Sequence, residues 1–271
     1  MKEPKPDWVV DGIDLDRPNP ARIYDYLLGG HHNFAADRAA AEKLLEHLPL
    51  AKDGAVAQRA FLRRVINVLT SEGIDQFLDI GSGLPTVGNV HDLARTTIPD
   101  ARAVYVDVDP VVVAHGREML KDDRLTTIIE GDVRYPEAIL ENSEVVAMLD
   151  FDRPMSLSMT SMLHFVEDDD AAFGATRTLI DALASGSFVT ISHCMIQERT
   201  KDALNAAIDS YRRAADSRAR PLDDIVAFFD GLEVLEPGFV RGPEWRPEHA
   251  DDLLLDKAEM LNVIVGVGRK P

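Results

Sequence analysis

The chain has 271 residues, 45% of them apolar and 28% charged, enough to bury the core of one large α/β domain with or without an appendage. Its 47 acidic residues outnumber 29 basic ones, and the net charge of −18 repels phosphate backbones, which argues against nucleic acid as partner or substrate. No apolar run is long enough to span a bilayer and the first residues lack the apolar core of a signal peptide, so a cytoplasmic protein with no membrane partner is expected.

Residues 1–18 are rich in proline and charge and show no period, so they read as an irregular leader. Asn19-Pro20 then opens a helix, with Asn as cap and Pro at the first helical position, and Gly29-Gly30 close it. Further helices are predicted over 35–48 and 58–71, the latter with Phe61, Leu62, Val65, Ile66 and Leu69 on its apolar face. From there strands and helices alternate. Strands are predicted at 76–80, 103–107, 126–130, 155–159, 187–192, 234–236 and 262–267, and helices at 87–96, 110–120, 135–142, 169–184, 201–215 and 221–230. Alternation with short turns predicts an α/β fold whose mostly parallel sheet is covered on both faces. The run around Trp245 reads as part of an antiparallel closure at one sheet edge. Arg212-Arg213, Arg218 and Arg220 read as a solvated helix face, and Glu167-Asp168-Asp169-Asp170 as a helix N-terminus.

The chemistry centres on Asp79-Ile80-Gly81-Ser82-Gly83, where the first strand stops at two glycines that let a backbone pass close to a ligand. One strand later Asp107 stands at a strand tip, where a carboxylate accepts hydrogen bonds from ribose hydroxyls. A dinucleotide fingerprint would place glycine at position 86, which is Thr86, so an NAD-dependent oxidoreductase is the weaker reading. Asp132, with the backbone of Val133, ends the third strand and suits either an adenine amino group or a plain Asx turn. Cys194, the single cysteine, excludes an internal disulfide and a multi-cysteine zinc site and reads as a small buried hydrophobe. His31-His32 has no acidic or cysteine partner at ligand spacing, so no metal is expected.

Several separated motifs carry a resemblance. They are Asn19-Pro20-Ala21-Arg22-Ile23-Tyr24-Asp25-Tyr26-Leu27-Leu28-Gly29-Gly30, Asn33-Phe34, Asp37-Arg38 and Leu78-Asp79-Ile80-Gly81-Ser82-Gly83-Leu84-Pro85-Thr86. Gly88-Asn89-Val90-His91, Tyr105-Val106-Asp107-Val108-Asp109-Pro110, Leu149-Asp150-Phe151-Asp152-Arg153-Pro154, Leu163-His164-Phe165, Gly186-Ser187, Ser192-His193 and Trp245-Arg246-Pro247 complete the set. In these the chain resembles class I S-adenosylmethionine-dependent methyltransferases of a family first catalogued as a domain of unknown function and later named S-adenosyl methyltransferase. The resemblance implies a Rossmann-like sheet of seven strands, the last antiparallel, under an N-terminal helical lid. It divides the chain into a leader and helical cap, 1–75, and a methyltransferase domain, 76–271, as one compact unit. It implies S-adenosyl-L-methionine as cofactor, with Asp79, Gly81 and Gly83 at its methionine part, Asp107 at the ribose, and Asp132 and Val133 at the adenine. Val108, beside Asp107, and Met159, at the end of the fourth strand, complete the expected contacts, and Arg22 or Tyr24 of the lid would meet the methionine carboxylate through hydrogen bonds.

Methyl transfer from a sulfonium is an in-line displacement with a neutral leaving group, so the protein mainly positions the reactants and excludes water. A base is needed only where the acceptor loses a proton, and His193 and His164, after predicted strand ends, are the candidates. Each has a bland reading as a packed ring. The sequence thus reads as a methyltransferase for a small-molecule acceptor, the alternative being a non-catalytic protein that senses S-adenosylmethionine or S-adenosylhomocysteine.

Overall fold

Asn19 starts the first helix as predicted: its side-chain oxygen accepts from the amides of Ala21 and Arg22, and Pro20 fills the next position. In this computed structural model, which describes residues 14–85 and 88–271, that helix, α1, spans Pro20–Leu27 and ends where Gly29 takes a φ of 80°. Most of the leader, together with Thr86 and Val87, lies outside the described residues. The second helix, α2, is Ala35–His47, and α3 is Ala51–Ser71. The third helix begins seven residues before its predicted start, because Ala51, Gly54, Ala55 and Ala57 carry no large apolar side chain that would reveal a period. Ala55 and Ala57 are nevertheless buried, which lets neighbouring backbones approach.

Strands and helices then alternate as β1 (Gln76–Ile80), α4 (Val90–Arg95), β2 (Arg102–Asp107), α5 (Pro110–Leu120), β3 (Thr126–Glu130), α6 (Pro136–Leu140), α7 (Ser143–Met148), β4 (Ser156–Thr160), α8 (Asp169–Asp181), β5 (Phe188–Cys194), α9 (Lys201–Tyr211), α10 (Leu222–Ala227), β6 (Glu233–Val234), β7 (Val240–Arg241) and β8 (Val263–Arg269). The predicted helix 135–142 is split because Asn142 caps a new one, its side chain accepting from the amide of Glu144. Asp168 caps α8 in the same way, accepting from Ala171.

The sheet runs β3-β2-β1-β4-β5-β8-β6, with β7 also paired to β8. The strands β1 to β5 are parallel, and β8 lies antiparallel to β5. This is the expected Rossmann-like α/β sheet, with eight strands among the described residues where seven were predicted. The extra one, β7, is a two-residue pairing on the edge that Trp245 closes. The strand order reverses between β1 and β4, and such a switch point opens a crevice at the carboxyl ends of the strands.

Alternate residues of each strand face two apolar layers. Leu78, Ile80, Val104, Val106, Leu157 and Ile191 pack with Leu179 and Ile180 of α8. Phe77, Ala103, Tyr105, Ile128 and Val265 pack with Phe61, Val65 and Leu69 of α3. A smaller cluster joins Ile23 and Leu27 of α1 to Ala40 and Ala41 of α2 and to Ala214 just past α9.

The arginine cluster does not form one solvated face. Arg220 is fully buried, where its guanidinium donates to Asp169, to the carbonyls of Leu163 and Val166, and to His193. Only its neighbours Arg212, Arg213 and Arg218 are exposed. The sequence places all four near a helix end, but only the chain's turn back beneath the Leu163–Phe165 segment tells which one goes inside. No helix of the described residues is long and apolar enough to cross a membrane.

Trp245 is fully buried, its ring edge-on to Phe61 at 5.5 Å and its carbonyl accepting from Arg64. Trp245→Ala should lower unfolding free energy by about 3–5 kcal/mol, measured by equilibrium denaturation; a loss below about 1 kcal/mol would show that the ring does not hold the sheet edge to α3.

Candidate functional site

The crevice is built first from backbone. After β1 the chain turns at Gly81 and Gly83, with φ of 70° and 65°. A Cβ on Gly81 would lie 2.6 Å from the Cβ of Met162, in the loop after β4, so glycine is required there on contact as well as conformation. A Cβ on Gly83 would meet nothing within 4 Å among the described residues. The amides of Gly81 and Ser82 donate to the carbonyl of Val106, and the amide of Gly83 donates to the Asp107 carboxylate at 2.8 Å. The other Asp107 oxygen accepts from the amide of Asp109 at 2.9 Å. A carboxylate offers about four acceptor positions, so Asp107 keeps acceptor capacity beyond these two bonds.

Electrostatics sets the crevice apart from the rest of the surface. Asp79 is buried, and that burial, with a smaller push from Asp107, raises its carboxyl from the ordinary 3.8 to about 7 against the opposing charge of Arg59. Burial also raises Asp107 to about 6, opposed by the backbone hydrogen bonds from Asp109 and Gly83. Asp109 caps α5 through the amide of Val111, while its second carboxylate oxygen is buried without a hydrogen-bond partner among the described residues.

Val108 follows Asp107 with 60% of its surface exposed, an apolar side chain standing at the strand tips. Gly131 brings the end of β3 alongside by donating its amide to the Asp107 carbonyl. Beyond it Asp132 forms the Asx turn, accepting from the amide of Arg134 at 2.9 Å and binding the same residue's guanidinium. Val133 is buried in the core. The fold therefore brings Asp79, Gly81, Gly83, Asp107 and Val108 together, with Asp132 and Val133 at the neighbouring strand end.

Four expected residues sit differently. Arg22 is buried in an ion pair with Asp37 at 3.0 Å and donates to the carbonyl of Arg17. Met159 is fully buried in the apolar layer that contains α8. His193 is fully buried, one ring nitrogen 2.8 Å from the Cys194 carbonyl and the other 2.9 Å from an Arg220 nitrogen. A guanidinium only donates, so Nε2 is the acceptor, Nδ1 carries the proton, and both nitrogens are occupied. Burial drives His193 down to about 4, and burial with the charges of His193 and Arg220 drives His164 to about 3. Both imidazoles are neutral near pH 7 and belong to a ring stack that includes Phe165 and Phe228. Burial likewise lifts the Cys194 thiol to about 12.

Tyr24 reaches the crevice indirectly. Its hydroxyl donates to the carbonyl of Ala55 on α3, and the guanidinium of Arg59 lies 5.6 Å from its ring centroid. Arg59 is the residue that sequence reading misses. It occupies a polar position near the start of the helix predicted over 58–71, where nothing in the pattern separates it from a solvated arginine. Among the described residues no group of three or more His, Cys, Asp or Glu side chains is arranged to hold a metal ion.

A family model described as S-adenosyl methyltransferase matches residues 6–271. The chain belongs to the S-adenosyl methyltransferase family. This methyltransferase uses S-adenosylmethionine, and its crevice fits that cofactor. Asp107 has unused acceptor positions, no described residue comes within 4 Å of where a Gly83 Cβ would stand, and the buried Nε–H of Arg59 has no acceptor among the described residues. The chain is similar to a crystal structure from Thermobifida fusca YX assigned as a methyltransferase, with 39% identity, a TM-score of 0.89, and coverage of 98% of this chain and 99% of that one. It is also similar to a DUF574 family protein from Streptomyces avermitilis, with 34% identity, a TM-score of 0.89, and coverage of 95% and 99%. The N-methyltransferase NodS from Bradyrhizobium japonicum WM9, solved with S-adenosyl-L-homocysteine, shares the fold at 14% identity and a TM-score of 0.50, covering 86% of this chain and 97% of that one. No curated protein matches the chain.

The raised carboxyl of Asp79 has a stability consequence. Its folded value lies above its unfolded one, so the folded protein retains a proton that the unfolded chain releases, and folding loses stability as pH rises from about 4 toward 7. In cofactor-free protein, Asp79→Asn should therefore raise Tm by several degrees near pH 8 and by much less near pH 5. Equal shifts at both pH values in differential scanning calorimetry would contradict the burial of this charge.

Proposed function

We propose that the crevice at the ends of β1, β2 and β3 holds S-adenosylmethionine for methyl transfer to a small-molecule acceptor, and that positioning is the main catalytic effect. The carrying observation is the Asp107 carboxylate, held by two backbone amides at the tip of β2 with acceptor capacity to spare. In this reading the glycine turn and Asp79 take the methionine part of the cofactor and Asp107 its ribose hydroxyls. Val108 covers one face of the adenine, and Asp132 with the amide of Val133 reads its edge. Bound there, the cofactor supplies an electrophilic methyl group on a positively charged sulfur.

The chain's own residues orient and enclose. The amide of Ser161 is tied to the carbonyl and hydroxyl of Ser192, which fixes the loop that seats Met162 against Gly81. The helices α1, α2 and α9 pack together, and they form the lid that would exclude water from an acceptor. His193 and His164 then hold the neighbouring loop in place, and acceptors that need no strong base are favoured. Arg22 stabilises the lid through Asp37. Residues 1–75 serve as leader and cap and 76–271 as the Rossmann-like unit of one compact body, with α3 contributing to both. A small acceptor and a cytoplasmic setting agree with the charge of −18 and the single cysteine.

Titration calorimetry with S-adenosylhomocysteine tests the site. Asp107→Ala should weaken binding by about 1.5–3 kcal/mol, the range for hydrogen bonds to a charged group; unchanged affinity would overturn the assignment. An acceptor screen read by S-adenosylhomocysteine release should show turnover with small molecules, and turnover confined to protein or nucleic acid would overturn the acceptor class.

A further inference from the structure

We propose that Ser161 holds the methyl acceptor, its hydroxyl donating to an uncharged carbonyl or hydroxyl oxygen that lies beside the atom to be methylated. The inference rests on the cofactor reading above and adds a specificity-determining residue on the acceptor's side.

Backbone conformation singles the residue out. Ser161 has a φ of 54°, in the left-handed region that most L side chains enter only at a cost. The other two non-glycine residues with positive φ among the described residues, Arg246 and Leu254, lie in the loop before β8. Ser161 instead follows the last residue of β4, beside the switch point, and precedes Met162, which closes on Gly81. The strained turn is held by β5. The Ser161 amide donates to the carbonyl of Ser192 at 3.1 Å and to its hydroxyl oxygen at 2.8 Å. Glycine would take this backbone without cost, so a side chain here calls for a use.

The hydrogen atoms of the two hydroxyls supply one. Ser192 is fully buried and its oxygen accepts from the Ser161 amide, so its own hydrogen needs a protein acceptor. Among the described residues that acceptor is the Oγ of Ser161, 3.2 Å away. A hydroxyl that accepts from Ser192 turns its own hydrogen elsewhere, and no described residue receives it. Ser161 is half-buried, so a ligand entering at the end of β4 can reach this donor. Such a donor selects an oxygen with a spare lone pair. Asp79, Asp107 and Asp109 line the crevice and the net charge is −18, so an uncharged oxygen fits better than a carboxylate. The bond goes to a neighbour of the reacting atom, because the nucleophile needs its own lone pair for the methyl group.

Ser161→Gly and Ser161→Asn test the assignment on the full chain, with turnover read as S-adenosylhomocysteine release in the acceptor screen. Ser161→Gly removes the hydroxyl and relaxes the backbone, so the fold and the S-adenosylhomocysteine affinity should persist. Its kcat/KM for the acceptor should nevertheless fall about 10- to 100-fold. Asparagine keeps a donor and tolerates the left-handed region, so Ser161→Asn should recover part of the loss. Wild-type kcat/KM in Ser161→Gly would overturn the proposal, as would an equal loss of S-adenosylhomocysteine affinity or a collapse of Tm. Acceptors that lack an oxygen beside the methylated atom would overturn the substrate class. A wild-type chain that binds S-adenosylhomocysteine but methylates no small molecule would instead overturn the acceptor reading, and this inference with it. One that does not bind S-adenosylhomocysteine would overturn the cofactor reading beneath both.

Discussion

The hydrogen bonds from the amides of Gly83 and Asp109 to the Asp107 carboxylate hold the site's parts in register. One fixes the glycine turn after β1, and the other fixes the start of α5. The carbonyl of the same residue receives the amide of Gly131 and so aligns the end of β3. A single residue therefore spans the tips of the three strands that border the crevice. Its carboxyl is nevertheless raised, because two hydrogen bonds offset only part of what burial costs a charge. Asp79 and Asp109 are raised as well. Three carboxyls held against their solvation preference at one end of a sheet are what a donor-rich ligand relieves, and the two apolar layers of the core stabilise the fold around them.

The N-terminal motif has a different logic. Asp37 accepts from the amides of Asn19 and Phe34 and from Arg22, and so closes the start of α1 onto the start of α2. Asp25 accepts from the amide of His32 and from the side chain of Asn33, which shapes the exit of α1. A Cβ on Gly30 would lie 2.0 Å from an Asp25 oxygen, so no larger residue fits. The residues that make this motif recognisable mostly hold the N-terminal helices to one another. Tyr24 ties α1 to α3 through the Ala55 carbonyl and the Arg59 guanidinium.

Sheet topology and the glycine turn after β1 were legible because each rests on local signals: alternating periods, a cap at Asn19, glycines where φ is positive, and an acid at a strand tip. What was not legible depends on contacts distant in sequence. Arg22 and Arg59 are alike as sequence features, and only the fold shows Asp37 against the first and the Tyr24 ring against the second. His193 and His164 follow strand ends, as catalytic groups do, yet the return of Arg220 buries them in a neutral stack. The early start of α3 was hidden because alanine packing leaves no hydrophobic period.

The central claim is that ionised Asp79 and Asp107 are the acceptors for the cofactor. Asp79 sits near 7 and Asp107 near 6 in the free protein, and a ligand that donates to both favours their charged forms. Binding must then take up the cost of releasing their protons as pH falls. The direct measurement is S-adenosylhomocysteine affinity against pH between 5 and 8, a range in which neither the ligand's carboxylate nor its ammonium group titrates. Affinity should be highest near pH 8 and fall through 7 and again through 6, losing at least about tenfold by pH 5. An affinity that stays flat across that range, or that strengthens toward acid, would contradict the assignment.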